Sequence, residues 1–205
     1  MEALRRYYIV ERELEIELVG RLRAGDKTAF DEIYAHFNRR LLSFLVRMAR
    51  DRSLAEDLLE ETWFRLVSAG QDLRPDTCLG AWLFTVARNV YISYCRSRLR
   101  ETSYTGDLIL LWPGESPKNP FDLASLNEFE NRLEAAIAAL PLIYREAILL
   151  VGIEQLRPTD AASVCGISPE SMRQRVKRAR DLLSRVMGKE DSSKTPEEEA
   201  THVLK

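Results

Sequence analysis

Cysteine and histidine are scarce in this chain, and their scarcity argues against metal chemistry. Cys78, Cys95 and Cys165 lie far apart without ligand-like spacing, and His36 and His202 have no neighbours that complete a ligand set. No metal and no cofactor is expected, and the thiols read as buried or incidental groups in a reducing compartment. There is no Gly-rich phosphate loop, no nucleophile elbow and no paired catalytic carboxylates, so an enzyme is the least expected class. Long apolar runs are missing too. None approaches the length of a membrane span, and the opening MEALRRYYIVEREL lacks the apolar core of a signal peptide. A cytoplasmic protein with no membrane insertion of its own is expected. Glycine and proline are few, nine and eight in 205 residues, so little interrupts regular structure.

Hydrophobic residues make up 45% of the chain, enough for packed cores, and they recur at helical spacing over long segments. The fold class expected is all-α. Net charge is only −2, which alone does not suggest a nucleic-acid partner. The charges are segregated, however. Arg88 to Arg100 holds four arginines and no acid, and Arg173 to Arg180 holds five basic residues and no acid. Local fields of this kind, not net charge, decide where a phosphate backbone docks.

The most informative stretch is Ser168–Arg185. At helical pitch Met172, Val176, Ala179 and Leu183 stack on one face, and Arg173, Gln174, Lys177, Arg178 and Arg180 lie away from it. Ser168 suits a cap and Pro169 the first helical position. Ala162 stands four residues before Gly166, and Met172 six after it. That is the packing logic of a helix-turn-helix: a small residue where two helices cross, and a glycine at the turn. The second helix is then the one that enters a DNA major groove.

In chain order, residues 1–9 read as a loose start and Val10–Ala24 as a helix ended by Gly25. Asp26 caps a helix from Lys27 to Arg50 with a broad stripe from Phe30 through Tyr34 to Met48. Ser53 and Glu56 form a capping box for a helix to Ser68, with Leu54, Leu58, Thr62 and Arg65 inward and Asp57, Glu60 and Glu61 as an acidic edge. A polar loop over 70–76 precedes the helix Leu79–Arg100. Its buried row is Leu79, Leu83, Val86, Val90 and Tyr94, and Arg88, Asn89, Ile92 and Arg96 face outward. Trp82 reads as core; Tyr91 suits either the core or an unstacked base. Prolines and glycines break the pattern over 101–126, a linker with an apolar run Leu108–Trp112. Asn127–Leu140 and Leu142–Ile153 are helices, and Pro158 opens the helix-turn-helix. The polar segment from Gly188 reads as a disordered tail.

These residues resemble the bacterial RNA polymerase sigma factors of the extracytoplasmic-function (ECF) group. Phe30-Asp-Glu-Ile-Tyr34 with Leu41-Leu42 looks like region 2.1, and Ala55 to Leu66 like region 2.2. Ala81 to Asn89, with Tyr91 and the arginines, looks like regions 2.3 and 2.4. Leu140 to Glu146 and the helix-turn-helix ending Arg178-Ala-Arg180 look like region 4. The resemblance covers roughly residues 14–100 and 128–187. It implies a region 2 domain over 10–100, a linker over 101–126, a region 4 domain over 127–187 and a tail over 188–205.

The resemblance also implies partners and roles. Core RNA polymerase would be clasped by Asp57, Leu58, Glu60, Glu61 and Arg65; the family often has Gln where Glu60 stands. Promoter DNA would be read twice. Arg88, Asn89, Tyr91, Ile92 and Arg96 would hold the melted −10 strand, with loop 71–76 as a pocket for an extruded base. Ser171, Arg173, Gln174, Lys177 and Arg178 would read the −35 duplex. An anti-sigma factor is a further implied partner. Two other functions stand beside this one. A sigma-like decoy for an anti-sigma factor should have lost the basic content of both reading helices, and this chain keeps it. A stand-alone helix-turn-helix regulator would bind duplex DNA without polymerase.

Overall fold

The chain alternates long amphipathic helices with short breaks, and each break has a local cause. A computed structural model describes residues 2–101 and 128–191. Of the linker expected over 101–126 only Glu101 is described; Leu108–Trp112 and the tail beyond residue 191 lie outside the described residues. Every regular element among the described residues is helical.

Helix α1 runs Glu2–Arg23, not from Val10, because no glycine or proline stands before Gly20 to stop it. Gly25, at φ +80°, makes the turn. Asp26 then caps α2 (Lys27–Ala49): its carboxylate accepts from the Thr28 amide at 2.9 Å. Arg21 closes the same corner, its Nε 2.8 Å from Asp26. Helix α3 (Arg52–Ala69) is capped by Asp51, not Ser53. Asp51 is extended and accepts from the Leu54 amide at 3.0 Å, which leaves Ser53 inside the first turn. A 3₁₀ turn over Gly70–Asp72 and a loop lead to α4 (Leu79–Glu101).

The N-terminal core is a wedge of large side chains: Ile33, Phe37, Leu41, Phe44 and Leu45 from α2, Leu59, Trp63 and Leu66 from α3, and Leu79, Leu83 and Phe84 from α4. Phe44 and Phe84 meet edge to face at 5.4 Å. Tyr34, placed in the α2 stripe by periodicity, is exposed, though its ring rests 5.0 Å from that of Trp63.

The C-terminal unit holds α5 (Glu128–Ala139), α6 (Leu142–Ile148), α7 (Pro158–Cys165) and α8 (Pro169–Asp191). The helix expected over Leu142–Ile153 changes character halfway. After Ile148 it widens into a π turn over Leu149–Ile153, closed by the Glu154 amide on the Leu149 carbonyl at 2.8 Å. Gly166 sits at φ 65°, ψ 38°, and the Ile167 amide returns to Ala162 O at 3.0 Å. Ala162 and Met172 are both buried, as the close crossing requires. Helix α8 continues through Gly188 to Asp191, past the expected start of the tail, because one interior glycine weakens a helix without ending it.

Candidate nucleic-acid interface

Helix α8 presents one open basic row. Arg173, Gln174, Lys177 and Arg178 follow helical spacing on its exposed side, opposite buried Met172, Val176 and Ala179. The start of the helix is well capped: Ser168 Oγ accepts from the Ser171 amide at 3.1 Å, and the two serine hydroxyls lie 2.9 Å apart. Glu170 holds Arg173 at 2.7 Å and lies 3.4 Å from Gln174 Nε2. The Arg173 hydrogen bond keeps the Glu170 carboxyl below its usual range. Both side chains are thus aimed from the first turn, in water, and a phosphate or base edge can replace Glu170.

The α4 face is different. Asn89 and Arg96 are open to solvent. Tyr91 and Ile92, one left open by the sequence and the other expected outward, are both buried. The C-terminal unit packs its helix α7 against α4, and its α6 supplies Arg145 and Glu146 beside Tyr91. Burial pushes the Tyr91 hydroxyl well above its ordinary range. Arg88 is not free either: its Nε donates to Glu146 Oε1 at 2.9 Å. Helical periodicity cannot anticipate this, because Glu146, the partner of Arg88, lies 58 positions away.

Two more pairs cross the same seam. Arg47 forks onto Glu134, with Nη2 to Oε1 at 2.6 Å, and Arg40 meets Glu154 at 3.1 Å and its carbonyl at 2.9 Å. In all three the arginine belongs to the N-terminal unit and the glutamate to the C-terminal one. Burial raises the Glu154 carboxyl from its ordinary value, and Arg40 opposes that shift. Arg145 completes the seam from inside. Its guanidinium donates to Ala138 O at 2.6 Å, Leu140 O at 3.0 Å and Met48 O at 3.4 Å. It therefore satisfies C-terminal carbonyls of α5 and of α2, one helix from each unit.

Helix α3 shows a third face. Asp57, Glu60 and Glu61 are exposed, as expected. Leu58 is buried at 5% exposure and belongs to the core, so it cannot touch a partner directly. Arg65, expected inward, is exposed and pairs with Glu61 at 2.8 Å. Phe64 and Val67 are not singled out by the sequence pattern. They are 66% and 63% exposed and continue the line of Asp57, Glu60 and Glu61 at helical spacing. A signal for them does exist: two large apolar residues on the acidic edge rather than the core stripe.

The 70–78 loop is held at both ends by α1. Gly70 packs so closely on Leu22 that a Cβ there would lie 3.0 Å from it. Leu73 is buried as a plug. Arg12 donates to the carbonyls of Asp76 and of Thr77, the latter at 2.9 Å. Glu15 accepts from the amides of Leu79 at 3.2 Å and Gly80 at 2.9 Å, capping α4 from another helix. Gln71, Asp72, Arg74, Pro75 and Asp76 remain exposed on top. Among the described residues no cluster of histidine, cysteine and carboxylates could hold a metal, and no helix is long and apolar enough to cross a membrane.

Comparison with known proteins adds a frame to this geometry. The family model for Sigma-70 region 2 matches residues 33–101, and that for Sigma-70, region 4 matches residues 130–183. The chain is 35% identical over 147 residues to the ECF RNA polymerase sigma factor EcfG of Rhodopseudomonas palustris, covering 72% of this chain and 78% of that one. It is 32% identical over 153 residues to the ECF RNA polymerase sigma factor SigM of Bacillus subtilis, covering 75% and 91%. Among solved structures, the sigma factor RpoE of Bartonella quintana, crystallised with the anti-sigma factor NepR, superposes with a TM-score of 0.62. That match has 26% identity and covers 78% of this chain and 96% of the other.

Proposed function

The chain belongs to the ECF RNA polymerase sigma factors, and from that membership we propose how its surfaces divide the work of promoter-directed initiation. It acts with core RNA polymerase and promoter DNA as an initiation factor in the cytoplasm, with no catalytic step of its own. The open row on α8, Arg173, Gln174, Lys177 and Arg178, reads the −35 duplex through the major groove, with Ser171 on a phosphate. The α3 face, Asp57, Glu60, Glu61 and Arg65 with Phe64 and Val67, docks on the polymerase; Leu58 supports it from beneath. Helix α4 captures the melted −10 strand with Arg88, Asn89, Tyr91, Ile92 and Arg96, and the exposed top of loop 71–76 takes an extruded base.

The observation that carries this reading is the open basic row on α8 behind a left-handed Gly166 turn. The seam adds a condition. Arg88, Tyr91 and Ile92 are covered here, so strand capture requires the two units to part. An anti-sigma factor is the partner that holds this chain out of use; RpoE of Bartonella quintana forms a complex with one, NepR. In run-off transcription with core polymerase, Arg173→Ala with Lys177→Ala is expected to lower transcript from the cognate promoter roughly tenfold, within the range of one lost base contact of about 1–3 kcal/mol. Core binding in a pull-down should be unchanged. An undiminished transcript sinks the α8 assignment.

A further inference from the structure

The family model for region 2 begins at Ile33, so α1 lies before it. Yet α1 is what shapes the loop proposed to read a base. We infer that Arg12 and Glu15 are positioning residues for base discrimination, because together they fix the C-terminal end of loop 71–76 in space. This rests on the reading of that loop given above.

Four observations support it. First, the contacts are to backbone, not side chains: two carbonyls for Arg12 and two amides for Glu15. They therefore set the path of the chain whatever the loop sequence is. Second, the two side chains brace each other, Arg12 Nη1 standing 3.3 Å from Glu15 Oε2, so neither can shift alone. Third, space is reserved for them. A Cβ on Gly80 would lie 3.0 Å from Glu15 Oε1 and 3.4 Å from the Phe37 ring. Glycine at 80 lets the carboxylate reach the amides. Fourth, apart from the Trp82 amide on the Cys78 carbonyl at 2.9 Å, which starts α4, the other bonds at that end are local. The Thr77 amide returns to Arg74 O at 3.0 Å, and Arg74 pairs with Asp76 at 3.0 Å, both within the loop itself.

The consequence is a lever. Leu22 and the Leu73 plug fix where the loop leaves α3, and Arg12 and Glu15 fix where it enters α4. The exposed Gln71 and Asp72 then stand at a defined height above the core, where an extruded base can be measured against them. Loss of the brace leaves the loop sequence intact and its geometry loose. Discrimination depends on placement at the scale of an ångström, so it falls before binding does.

The test is competitive transcription with reconstituted holoenzyme on a promoter library randomised across the −10 element. The variants are Arg12→Ala, Glu15→Gln, Arg12→Lys as the conservative exchange, and Asp72→Ala as a probe of the loop itself. Thermal melting and core-polymerase affinity are measured in parallel. The expected result is that Asp72→Ala changes preference at one −10 position. Arg12→Ala and Glu15→Gln should flatten preference at that same position roughly tenfold. Arg12→Lys should restore part of it, and −35 preference and core affinity should stay unchanged in all. A general fall in transcript with every preference preserved overturns the inference, because a merely structural role predicts that pattern. If Asp72→Ala shifts preference and the α1 variants do not, the inference fails while the loop reading stands. If none of the variants, Asp72→Ala included, shifts preference, the loop reading fails and takes the inference with it.

Discussion

Asp26 accepts from both the amide and the hydroxyl of Thr28, and from Arg21, in that corner between α1 and α2. Those bonds, the Thr28 hydroxyl first, lower its carboxyl from the ordinary 3.8 to about 2. A folded-state value below the unfolded one adds stability above the ordinary range, and that stability disappears as the pH falls through the folded value. Between about pH 4 and pH 2 the melting temperature of the native chain should therefore fall more steeply than that of Asp26→Asn. Parallel curves would show that the corner does not contribute. Leu58 gives a second case. It sits in the core beneath the acidic edge, so Leu58→Ala should cost about 2–5 kcal/mol in urea unfolding. Asp57→Ala with Glu61→Ala should stay within about 0.5 kcal/mol per site and act on polymerase binding instead. Equal losses of stability would mean that the acidic edge is structural. The sequence pattern separates these neighbours only partly. Asp57, Glu60 and Glu61 are legible as surface because charge is costly to bury. Leu58 and Phe64 are both apolar, and only the helix phase, fixed by the rest of the fold, sends one inward and the other out.

Helix ends are the most legible elements here, since their determinants are local. The Asp26 cap, the Pro158 start, the Gly166 turn and the Ser168 cap all stand where their chemistry places them. Gly166 is the strongest of these, because φ 65° is a conformation that a Cβ resists. Gly166→Ala should cost about 1 kcal/mol or more, although open space surrounds the position and no contact is lost. A calorimetric melt of the variant checks this, and an unchanged midpoint would contradict the strain argument. Three other ends were not legible for the opposite reason. Helix α4 is capped by Glu15, 65 positions before Gly80, and α2 and α5 share the guanidinium of Arg145. A cap borrowed from another helix leaves no mark in the sequence beside the helix it serves. The π turn at Leu149–Ile153 is similar: its apolar residues fit an ordinary helix, and what widens it is the closure at Glu154.

At the scale of the molecule, the all-helical class was legible from spacing alone, and the seam was not. It depends on which surface of each unit finds the other. Glu146 is nearly fully buried, so removing Arg88 would leave an unpaired acid there, at a cost of about 3–5 kcal/mol. The gentler change is Glu134→Gln, Glu146→Gln and Glu154→Gln together, which keeps volume and removes charge. Small-angle scattering should then show a larger radius of gyration than for the native chain, and Cys165 should become easier to alkylate. Cys165 is a sensitive reporter because burial raises its thiol to about 12 and it lies against Glu146. An unchanged radius and labelling rate would mean that the ion pairs do not hold the units together. The direction of those pairs has a consequence of its own. In these three pairs the N-terminal unit supplies the cation and the C-terminal unit the anion. Inverting every sign, with Arg40→Glu, Arg47→Glu and Arg88→Glu opposite Glu134→Arg, Glu146→Arg and Glu154→Arg, would conserve the attraction between the halves. The resulting protein should still close on itself, and on the proposed reading of α4 it should lose −10 strand capture, because Arg88 is one of the residues proposed for it. The arrangement therefore has a polarity: while the seam is closed, a carboxylate of the C-terminal half occupies the place beside each guanidinium that any other anion would need.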